Sequence, residues 1–102
     1  LDQDLMASIV DRLIEDTNNL LISNGKNIQL GISAKARKKL CADGYEPTMG
    51  ARPLKRVFEA EVKKPLSKKI LFESLDDVLI KVDYDVQSES YTFTDKAIRP
   101  RR

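Results

Sequence analysis

The sequence predicts an α+β domain in which about three helices pack on a small sheet of two to three strands. Apolar residues recur at helical spacing in three stretches, whereas they alternate with polar residues in segments 27–32 and 77–84. The chain has 102 residues, of which 41% are hydrophobic and 33% are charged. This length and composition are typical of one globular domain with a single core and a well-solvated exterior.

The first half of the chain is predicted to form a helix, a strand and a second helix. Residues 1–24 carry an apolar stripe, and Gly25 follows them as a typical helix stop. The alternating residues 27–32 indicate a short strand. Ser33 is a suitable N-cap for a second helix, which we expect to end at Gly44.

The second half is predicted to continue with a loop, a long helix and two strands. After the loop 45–50, a third helix starts around residues 51–53, where Pro53 occupies the first turn. Pro65 lies inside the apolar pattern of this helix and should kink or split it. Strands are expected at 77–84 and, after a polar turn, at 91–94.

We expect residues 1–97 to form one domain and residues 98–102 to be a basic, disordered tail. The first residue is Leu1 rather than a methionine, which we interpret as a piece of a longer protein. No apolar run approaches the roughly 18 residues of a membrane span. A membrane partner is therefore not predicted.

Several kinds of active site are excluded by composition. The chain has no histidine, the most common general base and metal ligand, and Cys41 is its only cysteine. No metal site is predicted. The phosphate-binding motif G-x-x-x-x-G-K-[ST] is also absent, so any role in ATP chemistry depends on a partner domain. With 18 basic and 16 acidic side chains, the net charge of +2 gives little attraction to nucleic acid.

Residues 44–56, G-Y-E-P-T-M-G-A-R-P-L-K-R, form the most informative segment. Arg52, Lys55 and Arg56 lie at the start of the predicted third helix, where the helix dipole disfavours positive charge. An anion such as phosphate would explain these three basic residues. Alternatively, the side chains point into water or pair with acidic neighbours, which would be Glu46 and Glu59. The residues alone leave both interpretations open.

This segment, G-Y-x-P-x-x-G-A-R-P-L-x-R followed by an apolar helix with a K-K-P-L turn, resembles the C-terminal small (lid) domain of the second AAA+ module of Clp family ATPases. The resemblance extends over about four-fifths of the chain. Residues 63–75 resemble the ClpA-like branch more than the ClpB or ClpC branch. The chain departs from the family at 74–77, S-L-D-D, where relatives usually place glycines. The turn before the next strand is therefore expected to differ.

The resemblance implies a role for three residues of the loop. In the family, the arginine of G-A-R is the sensor 2 residue, which reaches from the lid to the nucleotide phosphates. Arg52 would be this phosphate-sensing arginine, and Gly50 and Ala51 would let the backbone approach the nucleotide. The implied cofactor is ATP or ADP, with Mg²⁺ held by the large subdomain of the same module. This chain alone would then hydrolyse nothing, whereas its parent protein would be an ATPase.

The resemblance also implies the partners and the location. The parent would be a homohexameric protein unfoldase in the bacterial cytoplasm or an organelle matrix. The domain would contact its own large subdomain and neighbouring protomers, and the parent would act on unfolded proteins, with a Clp-type peptidase as a further partner. Two other hypotheses remain: a stand-alone module that docks nucleic acid or an acidic protein through basic helix faces, and a scaffold in which Arg52 only forms structural ion pairs.

Overall fold

In the computed structural model, residues 3–98 are described, and within them three helical units pack on one face of a three-stranded sheet. The third unit is continuous and joins α3, a π-helical segment and α4. The predicted α+β class is confirmed. The elements are α1 (Gln3–Ser23), β1 (Ile28–Ile32), α2 (Ala34–Asp43), α3 (Arg52–Phe58), the π segment (Glu59–Lys63), α4 (Lys64–Glu73), β2 (Val78–Asp85) and β3 (Ser90–Ala97).

The sheet has the order β1-β2-β3, so that β2 is central. β1 runs parallel to β2, with Leu30 opposite Ile80, whereas β3 runs antiparallel to β2, with Phe93 opposite Val82. The last strand is longer than the predicted segment 91–94. It stays in register with β2 over all eight residues of the hairpin, a pairing that local alternation could not indicate.

The core lies between the sheet and the helices. Val78, Ile80 and Val82 of β2 are buried on the helix side, while Leu79 and Lys81 on the opposite face are exposed. This alternation follows from the two-residue repeat of a strand. The other buried apolar side chains are Met6, Val10, Ile28, Leu30, Ala36, Leu40, Leu54, Phe58, Val62 and Leu66.

Pro65 interrupts the α-helical hydrogen bonding of unit 52–73, as expected, although the unit remains continuous. The π segment comes directly before α4, and the amide of Lys64 donates to the carbonyl of Glu59, five residues back. Pro65 then lies in the first turn of α4, where its missing N–H costs little. The wider π turn thus accommodates a proline within a long helical unit.

The predicted boundaries of α2 are confirmed. The Ala36 amide donates to Ser33 Oγ over 3.0 Å, and the Gly44 amide donates to the Leu40 carbonyl over 2.8 Å. Gly44 also lies against Leu54, because a Cβ added at Gly44 would come within 2.7 Å of Leu54 Cα. A side chain at position 44 would therefore push the loop away from α3.

Asn18 of α1 binds the outer edge of β1. Its Oδ1 accepts from the Leu30 amide over 2.6 Å, and its Nδ2 donates to the Leu30 carbonyl over 3.1 Å. One amide side chain therefore replaces the hydrogen bonds that a further strand would make at this position.

The turn before β2 uses left-handed backbone conformations without glycine. Ser74 has a φ of 50° and Asp77 a φ of 55°, a region that glycine usually occupies. Asp76 Oδ1 accepts from the Asn27 amide over 2.8 Å, and Asp77 Oδ1 accepts from Asn27 Nδ2 over 2.8 Å. These two carboxylates therefore tie the start of β2 to the start of β1.

Backbone pairing after β3 continues one residue past the predicted domain boundary at residue 97. The Ile98 amide donates to the Asp77 carbonyl over 3.0 Å, which extends the β2–β3 pairing. The rest of the predicted disordered tail, 99–102, lies outside the described residues.

Candidate functional site

The loop before α3 is closed by its own backbone. The Glu46 amide donates to the Gly50 carbonyl over 2.9 Å, and the Gly50 amide donates to the Glu46 carbonyl over 2.5 Å. Gly50 has a φ of 66°, which favours glycine at this position. The Thr48 hydroxyl donates to the Glu46 carboxylate. The loop therefore has a defined shape that its own residues maintain.

The entry to α3 is attached to this loop and to the core. The Arg52 amide donates to the Met49 carbonyl over 3.3 Å, and the Leu54 amide donates to the Ala51 carbonyl over 3.0 Å. Leu54 is fully buried, while Arg52 two residues earlier is exposed. The core thus holds the backbone beneath Arg52 and directs its side chain outward.

The basic residues of this entry have no acidic partner within the described part of the chain. Arg52, Lys55 and Arg56 are exposed, and no ion pair or side-chain hydrogen bond joins any of them to residues 3–98. The Glu59 carboxylate lies 3.2 Å from Lys63 Nζ instead. Glu46 accepts from the Thr48 hydroxyl, and neither glutamate forms an ion pair with the three basic residues. The structure thus shows none of the ion pairs that the alternative interpretation allowed, but the three exposed side chains point into water, which that interpretation also allowed.

Two further side chains that could react, Cys41 and Asp76, have pKa values that the surrounding structure shifts. Burial raises the pKa of the half-buried Cys41 thiol, which disfavours the reactive thiolate. Hydrogen bonds from the backbone amides of Asn27 and Asp77 lower the pKa of the Asp76 carboxyl.

Across residues 3–98, no three acidic, cysteine or histidine side chains are grouped closely enough to hold a metal ion. In the same range, no helix has the length and apolar character needed to cross a membrane.

Two of the four basic side chains of α2, which are Lys35, Arg37, Lys38 and Lys39, form ion pairs inside the domain. Arg37 Nη2 lies 3.0 Å from Asp11 Oδ1 of α1, and Lys39 Nζ lies 3.2 Å from Asp43 Oδ1. Lys35 and Lys38 are exposed. On α2, a basic surface that could bind nucleic acid is therefore limited to Lys35 and Lys38, which form no ion pair within residues 3–98.

Sequence reasoning missed two polar contacts that attach β3 to the helices. Lys69 Nζ of α4 lies 3.1 Å from Asp95 Oδ1, and the Tyr91 hydroxyl donates to Asp43 Oδ2 over 3.3 Å. Burial, together with Asp43, raises the pKa of the Tyr91 phenol well above its usual value. No local signal could have indicated these pairs, since each joins residues far apart in the chain.

Comparison with known proteins supports the family resemblance of segment 44–56. Residues 1–83 match a family model described as the C-terminal, D2-small domain of ClpB protein. The chain belongs to this ClpB D2-small family. Strand β3 lies beyond the matched residues.

Curated ClpB chaperones are similar over the same region. The chain is 39% identical to ClpB of Aquifex aeolicus over 80 residues, covering 78% of this chain and 8% of that protein. It is 34% identical to ClpB of Staphylococcus epidermidis over 85 residues, or 82% of this chain and 10% of that protein. ClpB of Brucella suis is 41% identical over 78 residues, or 76% of this chain and 9% of that protein.

The chain thus spans about a tenth of the length of the curated relatives that it matches. These findings confirm a C-terminal small domain of the second AAA+ module of a Clp ATPase, and the chaperone family to which it belongs. They do not support the preference for the ClpA-like branch, because the matched family and these relatives are ClpB. They also give no support to a stand-alone binding module.

Proposed function

We propose that this chain is the nucleotide-sensing lid of a hexameric, ATP-dependent protein unfoldase, with residues 1–97 as the domain. The observation that carries the proposal is Arg52, an exposed guanidinium without a partner in residues 3–98, on a loop that the core holds in place. Because the chain lacks a phosphate-binding loop, most contacts to ATP and Mg²⁺ would come from the large subdomain of the same module.

In this proposal, Arg52 binds the phosphates of the nucleotide. A guanidinium is permanently charged and offers two parallel N–H donors to phosphate oxygens, which suits it better than a lysine to detect one phosphate group. Gly50 and Ala51 would leave room for the backbone beside the nucleotide. Loss of the terminal phosphate would remove the contact, and the lid would then rotate as a rigid body.

The rigidity of the connection supports this role. Arg52 is two residues from the buried Leu54, which in turn packs on Gly44 at the end of α2. A displacement of the guanidinium would therefore be transmitted to the helices, because the segment that connects them is held in place by the core. The proposed partners are the large subdomain, neighbouring protomers and unfolded protein substrates, with a Clp-type peptidase as a further partner in the bacterial cytoplasm or an organelle matrix.

The test is steady-state ATPase activity of the parent protein carrying Arg52→Ala. The other ATPase module is inactivated by mutation, so that only this module is measured. Loss of a charge-assisted contact worth about 1.5–3 kcal/mol in the transition state should slow turnover about 10- to 100-fold. Arg52→Lys should restore only part of the rate, because a lysine cannot form the bidentate contact.

The control is Lys81→Ala, which removes an exposed positive charge from the sheet face opposite the helices. We expect this variant to turn over within about twofold of the wild type, since surface substitutions away from a site usually have small effects. Unchanged turnover of Arg52→Ala in correctly assembled hexamers would refute the sensor role.

A further inference from the structure

Two tyrosines of the β2–β3 hairpin contact the C-terminal end of α2. Tyr84 and Tyr91 lie opposite each other in the strand register, with ring centroids 5.1 Å apart and an angle of 68° between the rings. The Tyr91 hydroxyl donates to Asp43 Oδ2 over 3.3 Å, and Lys39 Nζ lies 5.2 Å from the centre of the Tyr84 ring. Because Lys39 Nζ also lies 3.2 Å from Asp43 Oδ1, the four side chains form one connected cluster.

The Asp43 carboxylate occupies a position that disfavours negative charge. It belongs to the last residue of α2, at the negative end of the helix dipole, and the last turn of α2 contains no basic residue. Lys39, one turn earlier, and the Tyr91 hydroxyl of β3 compensate this charge. The carboxylate therefore serves as the acceptor that attaches the hairpin to the end of α2.

The Tyr91 hydroxyl keeps its proton in this environment. Burial, followed by the carboxylates of Asp43 and Glu61, raises the pKa of the phenol above its usual value. A protonated phenol is a hydrogen-bond donor, whereas a phenolate would repel the Asp43 carboxylate. The hydrogen bond from Tyr91 to Asp43 thus persists throughout the physiological pH range.

The end of α2 is adjacent to the loop that carries Arg52. Asp43 is followed directly by Gly44, where an added Cβ would come within 2.7 Å of Leu54 Cα. The Leu54 amide donates over 3.0 Å to the carbonyl of Ala51, the residue before Arg52. Because Gly44 and Leu54 are packed so closely, a shift of the end of α2 would displace the backbone that carries Arg52.

Both tyrosines lie outside the residues that match the ClpB D2-small family model, which are residues 1–83. The hairpin that carries them is paired over the full eight residues of β2 and β3, so it provides a firm support for the two rings. A functional side chain is placed accurately when hydrogen bonds from neighbouring residues fix the element that carries it.

We propose that Tyr91 and Asp43 are positioning residues for Arg52. Their hydrogen bond fixes the end of α2, and the contact between Gly44 and Leu54 passes this constraint to the start of α3. The guanidinium is thereby held where it meets the nucleotide phosphates. This inference rests on the proposed function, because it takes Arg52 to contact those phosphates.

The experiment measures the steady-state ATPase activity of the parent protein with its other ATPase module inactivated. The variants are Tyr91→Phe, Arg52→Ala and the two combined, and hexamers of each are isolated before the assay, so that a change in assembly does not alter the rate. Tyr91→Phe keeps the ring and removes only the hydroxyl. Alone, it should lower kcat about fivefold, as expected for the loss of one hydrogen bond.

The combined variant separates positioning from general damage to the fold. If Tyr91 acts through Arg52, Tyr91→Phe should lower kcat by less than about twofold once Arg52 has been replaced by alanine. A purely structural role would lower kcat by the same factor in both backgrounds.

The second partner is tested by Asp43→Ala, which should lower kcat as much as Tyr91→Phe does. Asp43→Asn should retain most of the activity, because its amide oxygen can still accept from Tyr91. The control Ser88→Ala removes a hydroxyl of the same hairpin that donates to Asp85 over 2.9 Å within the turn. Its kcat should stay within about twofold of the wild type.

Equal factors for Tyr91→Phe in the two backgrounds would overturn the inference, as would an equal loss in Ser88→Ala. If Arg52→Ala slows turnover whereas Tyr91→Phe and Asp43→Ala do not, the positioning role fails and the sensor role stands. If Arg52→Ala itself leaves turnover unchanged, the sensor role is refuted and the positioning role fails with it.

Discussion

Polar side chains around β1 and those at the start of α3 differ in what they contact. Around β1, Asn18 bonds to the Leu30 backbone, and Asp76 accepts from the Asn27 amide. At the start of α3, by contrast, Arg52 and Arg56 have no partner within residues 3–98. The first region satisfies backbone groups that folding removes from water. The second leaves charge available to a group outside the domain. This difference separates polar residues that maintain the fold from those available for function.

The largest stability effect is expected at Asn18. Asn18→Ala leaves the amide and carbonyl of the buried Leu30 without partners, which should lower the free energy of unfolding by about 2 kcal/mol. Urea denaturation of the chain measures this value. Asn19→Ala, at an exposed neighbouring position of the same helix, is the control and should cost less than about 0.5 kcal/mol. Equal effects of the two variants would mean that the edge of β1 does not depend on the Asn18 amide.

A smaller loss of stability is expected at low pH. The Ser33 hydroxyl, and next the Tyr84 amide, donate to the Asp83 carboxylate and hold its pKa below the ordinary value of 3.8. Because the folded-state pKa is the lower one, this stabilisation is complete above about pH 4 and is lost as pH falls through the folded-state pKa. Asp76 contributes with the same sign.

The measurement is the urea midpoint between pH 6 and pH 3. The midpoint should decrease over the lower part of this range, and Asp83→Asn should make the decrease shallower. Asp85→Asn, in which the replaced carboxylate lies at the exposed end of β2, serves as the comparison. If Asp83→Asn has the same pH profile as the wild type, the contact with Ser33 does not contribute to stability.

The smallest effect on stability is expected at Arg52. Because the guanidinium contacts no carboxylate within residues 3–98, Arg52→Ala should change the free energy of unfolding by less than about 0.5 kcal/mol. Thermal denaturation of the wild type and the variant provides the measurement. A loss above about 1 kcal/mol would show that Arg52 supports the fold, and the distinction between the two regions would then fail.

Local spacing was sufficient to predict most helices and strands. The Ser33 cap and the Gly44 stop are properties of adjacent residues, and the structure confirms both. The effect of Pro65 was expected, but not its form, because a π turn depends on how the whole helical unit packs. The length of β3 also escaped local reasoning, since β2 determines it through pairing.

The candidate site likewise has features that the sequence predicted and features that only the structure shows. The G-A-R loop and its arginine were identified from consecutive residues, and the ClpB D2-small match agrees with the family that this loop indicated. The lack of an acidic partner for Arg52 within residues 3–98 could not be predicted, because Glu46 and Glu59 are near enough in sequence to have paired with it. The contact of Glu46 with Thr48 became evident only in three dimensions, whereas the pairing of Glu59 with Lys63 follows from their spacing of four residues on one helix. The exposure of Leu71 and Phe72 could not be predicted either, because an apolar residue on a predicted helix is ordinarily assigned to the core.

Residue types at short, regular spacing were enough to predict the fold class, the order of the elements and the family. Hydrogen bonds between polar groups that are distant in the chain, by contrast, depend on the tertiary structure. Asn18 reaches Leu30 across 12 residues, Asn27 reaches Asp76 across 49 and Ser33 reaches Asp83 across 50. Such partners meet only when the core has brought α1 and β2 onto β1, because a hydrogen bond requires its two atoms to lie within about 3 Å of each other.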